Sequence, residues 1–215
     1  MTKDEVRQRI LAVAIIPVVR ASSAHHARLA VEAVCAGGIP IVEITMTVPG
    51  CIEIIAQLSR SIGSDVLIGA GTVLDPDTAK ACFDAGAQFL VSPGFDAPTV
   101  EFARQHDKLV MAGALTATEV ITAFRAGSDF VKIFPCGNVG GPSYIKALKA
   151  ALPQIPMVPT GGVNLSNAAE FLRAGSSAIG VGGELISRAA LEAGDTASIT
   201  AAARQYVDAV REARR

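Results

Sequence analysis

Eight short apolar runs, separated by longer stretches with helical spacing, restrict the fold of this chain more than any other feature. They are IIPVV (Ile15 to Val19), IVEIT (Ile41 to Thr45), VLIGAG (Val66 to Gly71), FLVSP (Phe89 to Pro93), LVMAGA (Leu109 to Ala114), FVKIF (Phe130 to Phe134), MVPTG (Met157 to Gly161) and AIGVG (Ala178 to Gly182). Most lack the alternation of a half-exposed strand, which suits parallel strands covered on both faces. Parallel neighbours need a crossover between them, and segments such as HARLAVEAVCAGG, TAKACFDAGAQ, TATEVITAFRAGSD and SNAAEFLRAGSS supply it. Four of these segments end in the same way, at Ala36-Gly37, Ala85-Gly86, Ala126-Gly127 and Ala174-Gly175. A glycine just past a helix takes the left-handed conformation without a Cβ clash, so each pair predicts a helix end followed by a strand.

The repeated unit and the absence of a linker predict an α/β chain folded as a single (β/α)8 TIM barrel, with one domain over residues 1–215 and an N-terminal helix ahead of the first strand. A doubly wound open sheet is the alternative. It would use fewer strands and usually a nucleotide loop, and GAGTV (Gly69 to Val73) lacks the third glycine of GxGxxG. The segment from Asp195 to Arg215 reads as a closing amphipathic helix whose basic end complements the helix dipole.

At 50% hydrophobic, 18% charged and net charge -1, the chain has no leaning toward nucleic acid or an anionic membrane. No apolar run approaches the ~18 residues of a membrane span, and the N-terminus mixes both charges with no small-residue cleavage site, so a cytoplasmic protein is expected. Cys35, Cys51, Cys82 and Cys136 form no CxxC pair and read as reduced, buried small hydrophobes. His25 and His26 are adjacent and His106 is alone, a spacing that suits surface residues better than metal ligands.

Chemistry in a barrel gathers where strands finish. The strand ends here carry Arg20, then Glu43, Thr45 and Thr47, then Thr72, Ser92-Pro93, Lys132, Thr160-Gly161-Gly162, and finally Gly182-Gly183. Lys132 and Glu43 are each a lone charge inside an apolar strand. Facing one another across the interior they would form a buried ion pair, but such pairs are often no better for stability than hydrophobic replacements. Catalysis gives the stronger reason for them. A desolvated lysine amine attacks a ketone to form a Schiff base, and a carboxylate within reach moves the protons that let a neighbouring C–C bond break. Lys80, Lys108, Lys146 and Lys149 lie in polar context and read as solvated. TGGVN (Thr160 to Asn164) and GVGGEL (Gly180 to Leu185) follow the last two strands, where backbone N–H groups of a barrel commonly hold phosphate.

At these residues the chain resembles the class I, Schiff-base 2-keto-3-deoxy-6-phosphogluconate (KDPG) aldolases, which are grouped with 4-hydroxy-2-oxoglutarate (KHG) aldolase. The likeness runs nearly end to end, through PVVR, VEITMTVPG, IGAGTVLDP, FLVSPG, VKIFP, GPSYIKALKAALPQ, PTGGVN and GVGGEL. The resemblance implies Lys132 as the Schiff-base residue and Glu43 as the acid/base. It places Thr72 and Pro93 beside pyruvate with Phe134 packed next to them, and Gly161, Gly162, Gly182 and Gly183 on phosphate. Thr160 is expected beside the substrate as well. The family forms homotrimers of small barrels and needs no metal or other cofactor; its partners are small 2-keto acids, pyruvate and a phosphorylated aldehyde.

Two positions depart from part of the family. Where some members carry an arginine for the substrate carboxylate this chain has Thr47, and Arg20 is expected to supply the guanidinium instead. Where some have serine beside the phosphate this chain has Glu184, which would repel phosphate and is expected to turn outward while the amides bind. Two other activities stand beside the first: an aldolase of the same mechanism acting on the galactonate epimer or on KHG, and a sugar-phosphate-binding, isomerase-type barrel without imine chemistry.

Overall fold

The computed structural model describes residues 1–62 and 65–214; Arg215, at the end of the expected closing helix, lies outside the described residues. Eight strands alternate with helices: α1 (Lys3–Val13), β1 (Ile15–Val19), α2 (Ala24–Ala36), β2 (Ile41–Thr45), α3 (Cys51–Ser61), β3 (Leu67–Gly71), α4 (Pro76–Asp84) and β4 (Phe89–Val91). There follow α5 (Ala97–Gln105), β5 (Leu109–Ala114), α6 (Ala117–Arg125), β6 (Phe130–Ile133), α7 (Pro142–Ala151), β7 (Met157–Pro159), α8 (Ala168–Arg173), β8 (Ile179–Val181), α9 (Arg188–Glu192) and α10 (Thr196–Ala213).

The strands are all parallel, in the order β7-β6-β5-β4-β3-β2-β1-β8. A single bridge, Thr160 to Gly180, joins the two edges and brings the sheet round into a (β/α)8 barrel. Every residue of the eight strands is buried, which is why the runs read as continuous apolar segments.

Local chemistry sets the helix ends. Asp75 and Asp96 cap α4 and α5 by accepting the N–H of Thr78 and Thr99, each with a proline in the first turn. Thr2 with Glu5 and Thr116 with Glu119 form capping boxes at α1 and α6. Gly86, Gly127 and Gly175 take the expected left-handed conformation, with φ near 100°. The first Ala-Gly pair differs. Gly37 is right-handed at φ −81, and the following Gly38 makes the left-handed turn at φ 94. Packing accounts for Gly37: a Cβ there would lie 2.3 Å from the Ala203 side chain of α10.

The expected N-terminal helix forms and lies across the end of the barrel where the strands begin. Lys3 pairs with Asp129 at 2.9 Å just before β6, and Arg7 stands over the Phe130 ring. The opposite end is left to the loops that carry the polar residues. Cys51, Cys82 and Cys136 are buried and Cys35 half-buried, as the sequence suggests, and burial pushes the Cys136 thiol up to about 12. Lys149 departs from its expected solvated role. It is half-buried at the end of α7, donates to the carbonyls of Pro153 and Ile155, and is drawn below the usual lysine range by desolvation.

Candidate active site

Lys132 and Glu43 meet inside the barrel. Lys132 on β6 is in register with Gly113 and Val158, and Glu43 on β2 with Val18 and Gly69. The strands have the same parity, and alternate strands of such a barrel share interior layers. Lys132 Nζ lies 3.7 Å from Glu43 Oε1, and the side chains are 4% and 3% exposed. That separation is an ion contact longer than a hydrogen bond. Glu43 Oε1 accepts no hydrogen bond from any described residue, although it is fully buried. Leaving an acceptor unpaired costs about 1–3 kcal/mol or more for a charged group, so the arrangement is built for something other than stability.

Glycines clear the space these side chains occupy. A Cβ on Gly71, at the end of β3, would fall 2.1 Å from Glu43 Oε1, and one on Gly180 would fall 2.3 Å from Thr160 Oγ1. The Phe134 ring centroid is 5.3 Å from Lys132 Nζ, and the same phenylalanine lines a cavity of about 240 Å³ at the barrel mouth. The amine and the cavity therefore share one side chain.

Arg20, Phe134, Thr160, Gly161, Gly162, Gly182 and Gly183 all line this cavity, bringing together residues from both ends of the sequence. A neighbouring cavity of about 370 Å³ shares Val18, Arg20 and Gly183 with it and adds Thr47, Ser22 and Arg188. Gly161 and Gly162 adopt φ 82 and 81, and Gly161 accepts the Gly137 N–H through its carbonyl. A Cβ on Gly182 or Gly183 would meet nothing within 4 Å, so that loop presents open backbone.

The Thr45 hydroxyl at the end of β2 lies 3.2 Å from the Val19 carbonyl and 2.6 Å from the Thr47 hydroxyl, with which it shares a hydrogen bond. Arg20 lines both cavities and Thr47 the second of them.

Thr72 and Pro93 line neither cavity. Thr72 is half-buried at φ 61, directly after the Gly71 that packs on Glu43. Pro93 backs onto β5, where a Cβ on Gly113, the register partner of Lys132, would lie 2.2 Å from its carbonyl carbon. Both thus adjoin the buried pair rather than the open mouth. Several runs end earlier than their apolar pattern: β4 stops at Val91, β6 at Ile133 and β7 at Pro159. Pro93, Phe134 and Gly161 thus lie just beyond the strand ends, and Phe134 and Gly161 line the cavity.

Sequence reasoning passed over Arg188 and Ser22. Arg188 opens the short α9 five residues beyond Gly183 and pairs with Glu192 at 2.7 Å; no strand pattern or glycine pair marks it. Glu184 lines the cavity beside the glycines. Its charge acts with burial to push the Tyr206 hydroxyl up to about 12, burial being the larger cause.

Comparison with known proteins points to one family. Residues 6–202 match the family model described as KDPG and KHG aldolase. The 2-dehydro-3-deoxy-phosphogluconate aldolase of Pseudomonas aeruginosa is 35% identical over 94% of this chain and 91% of its own. The 2-dehydro-3-deoxy-6-phosphogalactonate aldolase of Escherichia coli is 38% identical over 93% of this chain and 95% of its own. Among solved structures, KDPG aldolase from Legionella pneumophila with pyruvate captured at low pH as a covalent carbinolamine intermediate matches with TM-score 0.85 at 29% identity. The match covers 91% of this chain and 95% of that one.

Proposed function

The chain belongs to the KDPG and KHG aldolase family, and from that premise we propose that it reversibly cleaves KDPG to pyruvate and glyceraldehyde 3-phosphate through a Schiff base on Lys132. The observation that carries this reading is the buried 3.7 Å contact between Lys132 Nζ and Glu43 Oε1, with the carboxylate oxygen left without a hydrogen bond.

The steps follow from that pair. The Lys132 amine adds to the substrate C2 ketone, and the carbinolamine loses water to give an iminium. Glu43 takes the proton of the C4 hydroxyl, directly or through one water. The C3–C4 bond breaks, its electrons pass to the iminium nitrogen, and the aldehyde leaves with an enamine remaining on Lys132. Glu43 returns the proton to C3, and water hydrolyses the iminium to release pyruvate. Arg20 holds the keto-acid carboxylate beside Thr47 and Thr72, with Pro93 and Phe134 bounding the pyruvate part. Thr160 faces the tail, and backbone N–H groups at Gly161, Gly162, Gly182 and Gly183 take the phosphate. The same pair can cleave KHG to pyruvate and glyoxylate. Similarity to the galactonate-epimer enzyme of Escherichia coli favours a second reading within the same mechanism, and turnover of the two epimers separates them.

We further propose that the enzyme is a cytoplasmic homotrimer. Among the described residues no helix is long and apolar enough to cross a membrane. Leu74 at 57% exposed is apolar surface that a subunit contact would cover. Light scattering on the purified protein measures the assembly.

Borohydride reduction in the presence of pyruvate tests the chemistry. The expected result is a stable adduct on Lys132, absent in Lys132→Ala, which also loses cleavage. An adduct on another lysine, or activity that survives in the variant, would overturn it.

A further inference from the structure

β4 leaves its ladder at Val91, and the Ser92-Pro93-Gly94 turn that follows folds onto β5. Register partners in a parallel ladder carry their side chains on the same face, so Gly113 faces the barrel interior as its partner Lys132 does. A Cβ on Gly113 would lie 2.2 Å from the Pro93 carbonyl carbon and 2.4 Å from the Gly94 nitrogen. The Pro93-Gly94 peptide thus stands where a side chain next to Lys132 would stand, one strand spacing, ~4.8 Å, from the lysine stem. On this flank the lysine is walled by backbone.

Ser92 fastens that wall. Its side chain is buried, and its hydroxyl donates to the Gly94 carbonyl at 2.6 Å and accepts the Gly113 N–H at 3.3 Å. The same N–H reaches the Gly94 carbonyl at 3.3 Å. One hydroxyl therefore ties the turn to the strand residue beside the lysine. Proline has no N–H of its own to offer β5 and a ring-fixed φ, so the seat of the turn is set by the hydroxyl before it and the carbonyl after it.

We propose that Ser92 is a positioning residue: its hydroxyl latches the turn against β5, and the latched Pro93-Gly94 peptide limits the space beside Lys132 to a keto acid whose carbonyl carries only a methyl group. The inference rests on the aldolase reading and adds to it what fixes the size of the nucleophilic substrate. A wall of this kind discriminates by volume, so a keto acid one methylene longer than pyruvate meets the peptide while pyruvate does not.

The test measures the rate of borohydride-trapped imine on Lys132 with pyruvate and with 2-oxobutanoate, both below saturation, in the unmodified protein, Ser92→Ala, Ser92→Cys and Gly113→Ala. The unmodified protein should prefer pyruvate by about tenfold or more, the usual discrimination of one methylene in a closed pocket. Alanine removes the latch, and the preference should fall about tenfold, through slower trapping of pyruvate and faster trapping of 2-oxobutanoate. Cysteine keeps the shape but offers only a weak donor, so it should shift the ratio in the same direction. Gly113→Ala should do so with Ser92 intact, by displacing the same peptide from the other side. A merely structural role would slow both keto acids alike. An unchanged ratio in the Ser92 variants, or equal losses for both substrates, overturns the proposal. Trapping on the unmodified protein keeps the two readings apart: a pyruvate adduct with a ratio indifferent to Ser92 sinks the latch alone, and no adduct sinks the aldolase chemistry beneath it.

Discussion

Gly71 makes room for the Glu43 carboxylate, since a Cβ at that position would stand 2.1 Å from Oε1. The strand that follows Glu43 around the barrel therefore has to be bare at one residue for the acid/base to sit beside the lysine.

Gly71→Ala should push the carboxylate off its position while leaving the strand conformation open to alanine. A misplaced proton carrier costs on the order of a hundredfold, so kcat should fall by about that factor while pyruvate still forms an imine. Steady-state kinetics with borohydride trapping measures both, and full turnover in this variant would show that Glu43 tolerates displacement.

Glu43→Gln keeps the shape and removes the base. Turnover should fall by about two to four orders of magnitude, again with the imine retained. Proton exchange at the methyl group of pyruvate, followed by NMR, isolates the step; an undiminished exchange rate removes Glu43 from the mechanism.

Arg20→Ala should raise KM for the keto acid about tenfold or more, since a charged hydrogen bond to carboxylate is lost. Thr47→Val should do much less, because a neutral hydroxyl bonds a carboxylate more weakly than a guanidinium does. The reverse ranking would move the carboxylate site to the threonine pair.

Cys51 and Cys136 are each pushed up to about 12, chiefly by burial. An exposed thiol ionises near ~8.5. The unfolded chain thus releases these protons first, and the stabilising effect, complete below that value, is lost as pH climbs toward 12. Urea midpoints should fall between mildly and strongly alkaline pH, and fall less steeply in a Cys51→Ala, Cys136→Ala variant. Identical slopes would show that other groups govern the alkaline limit.

The barrel was legible because every strand is buried on both faces and helix ends carry glycine, signals that act over a few residues. Lys132 and Glu43 stood out for the opposite reason, each being a charge where the pattern demands an apolar side chain. What escaped depended on three-dimensional packing. Gly37 is glycine because Ala203, far along the chain, leaves no room for a Cβ, while the left-handed turn falls on Gly38. The apolar pattern runs on past the ends of β4, β6 and β7 because loop residues such as Phe134 are also sheltered by their neighbours. Arg188 reaches the mouth only through the course of the final loop, and the Thr45 hydroxyl meets the Val19 carbonyl of an adjacent strand.

The bridge between Thr160 and Gly180 falls at the seam of the ring, and these two residues also wall the cavity. Lys132 and Glu43 instead stand on strands laddered to a neighbour on each side. The ring is thus closed by that bridge and by the Ser177 N–H bond to the Met157 carbonyl, at the side from which the glycine-rich loops emerge, while the strands of the buried pair are held by full ladders on both flanks.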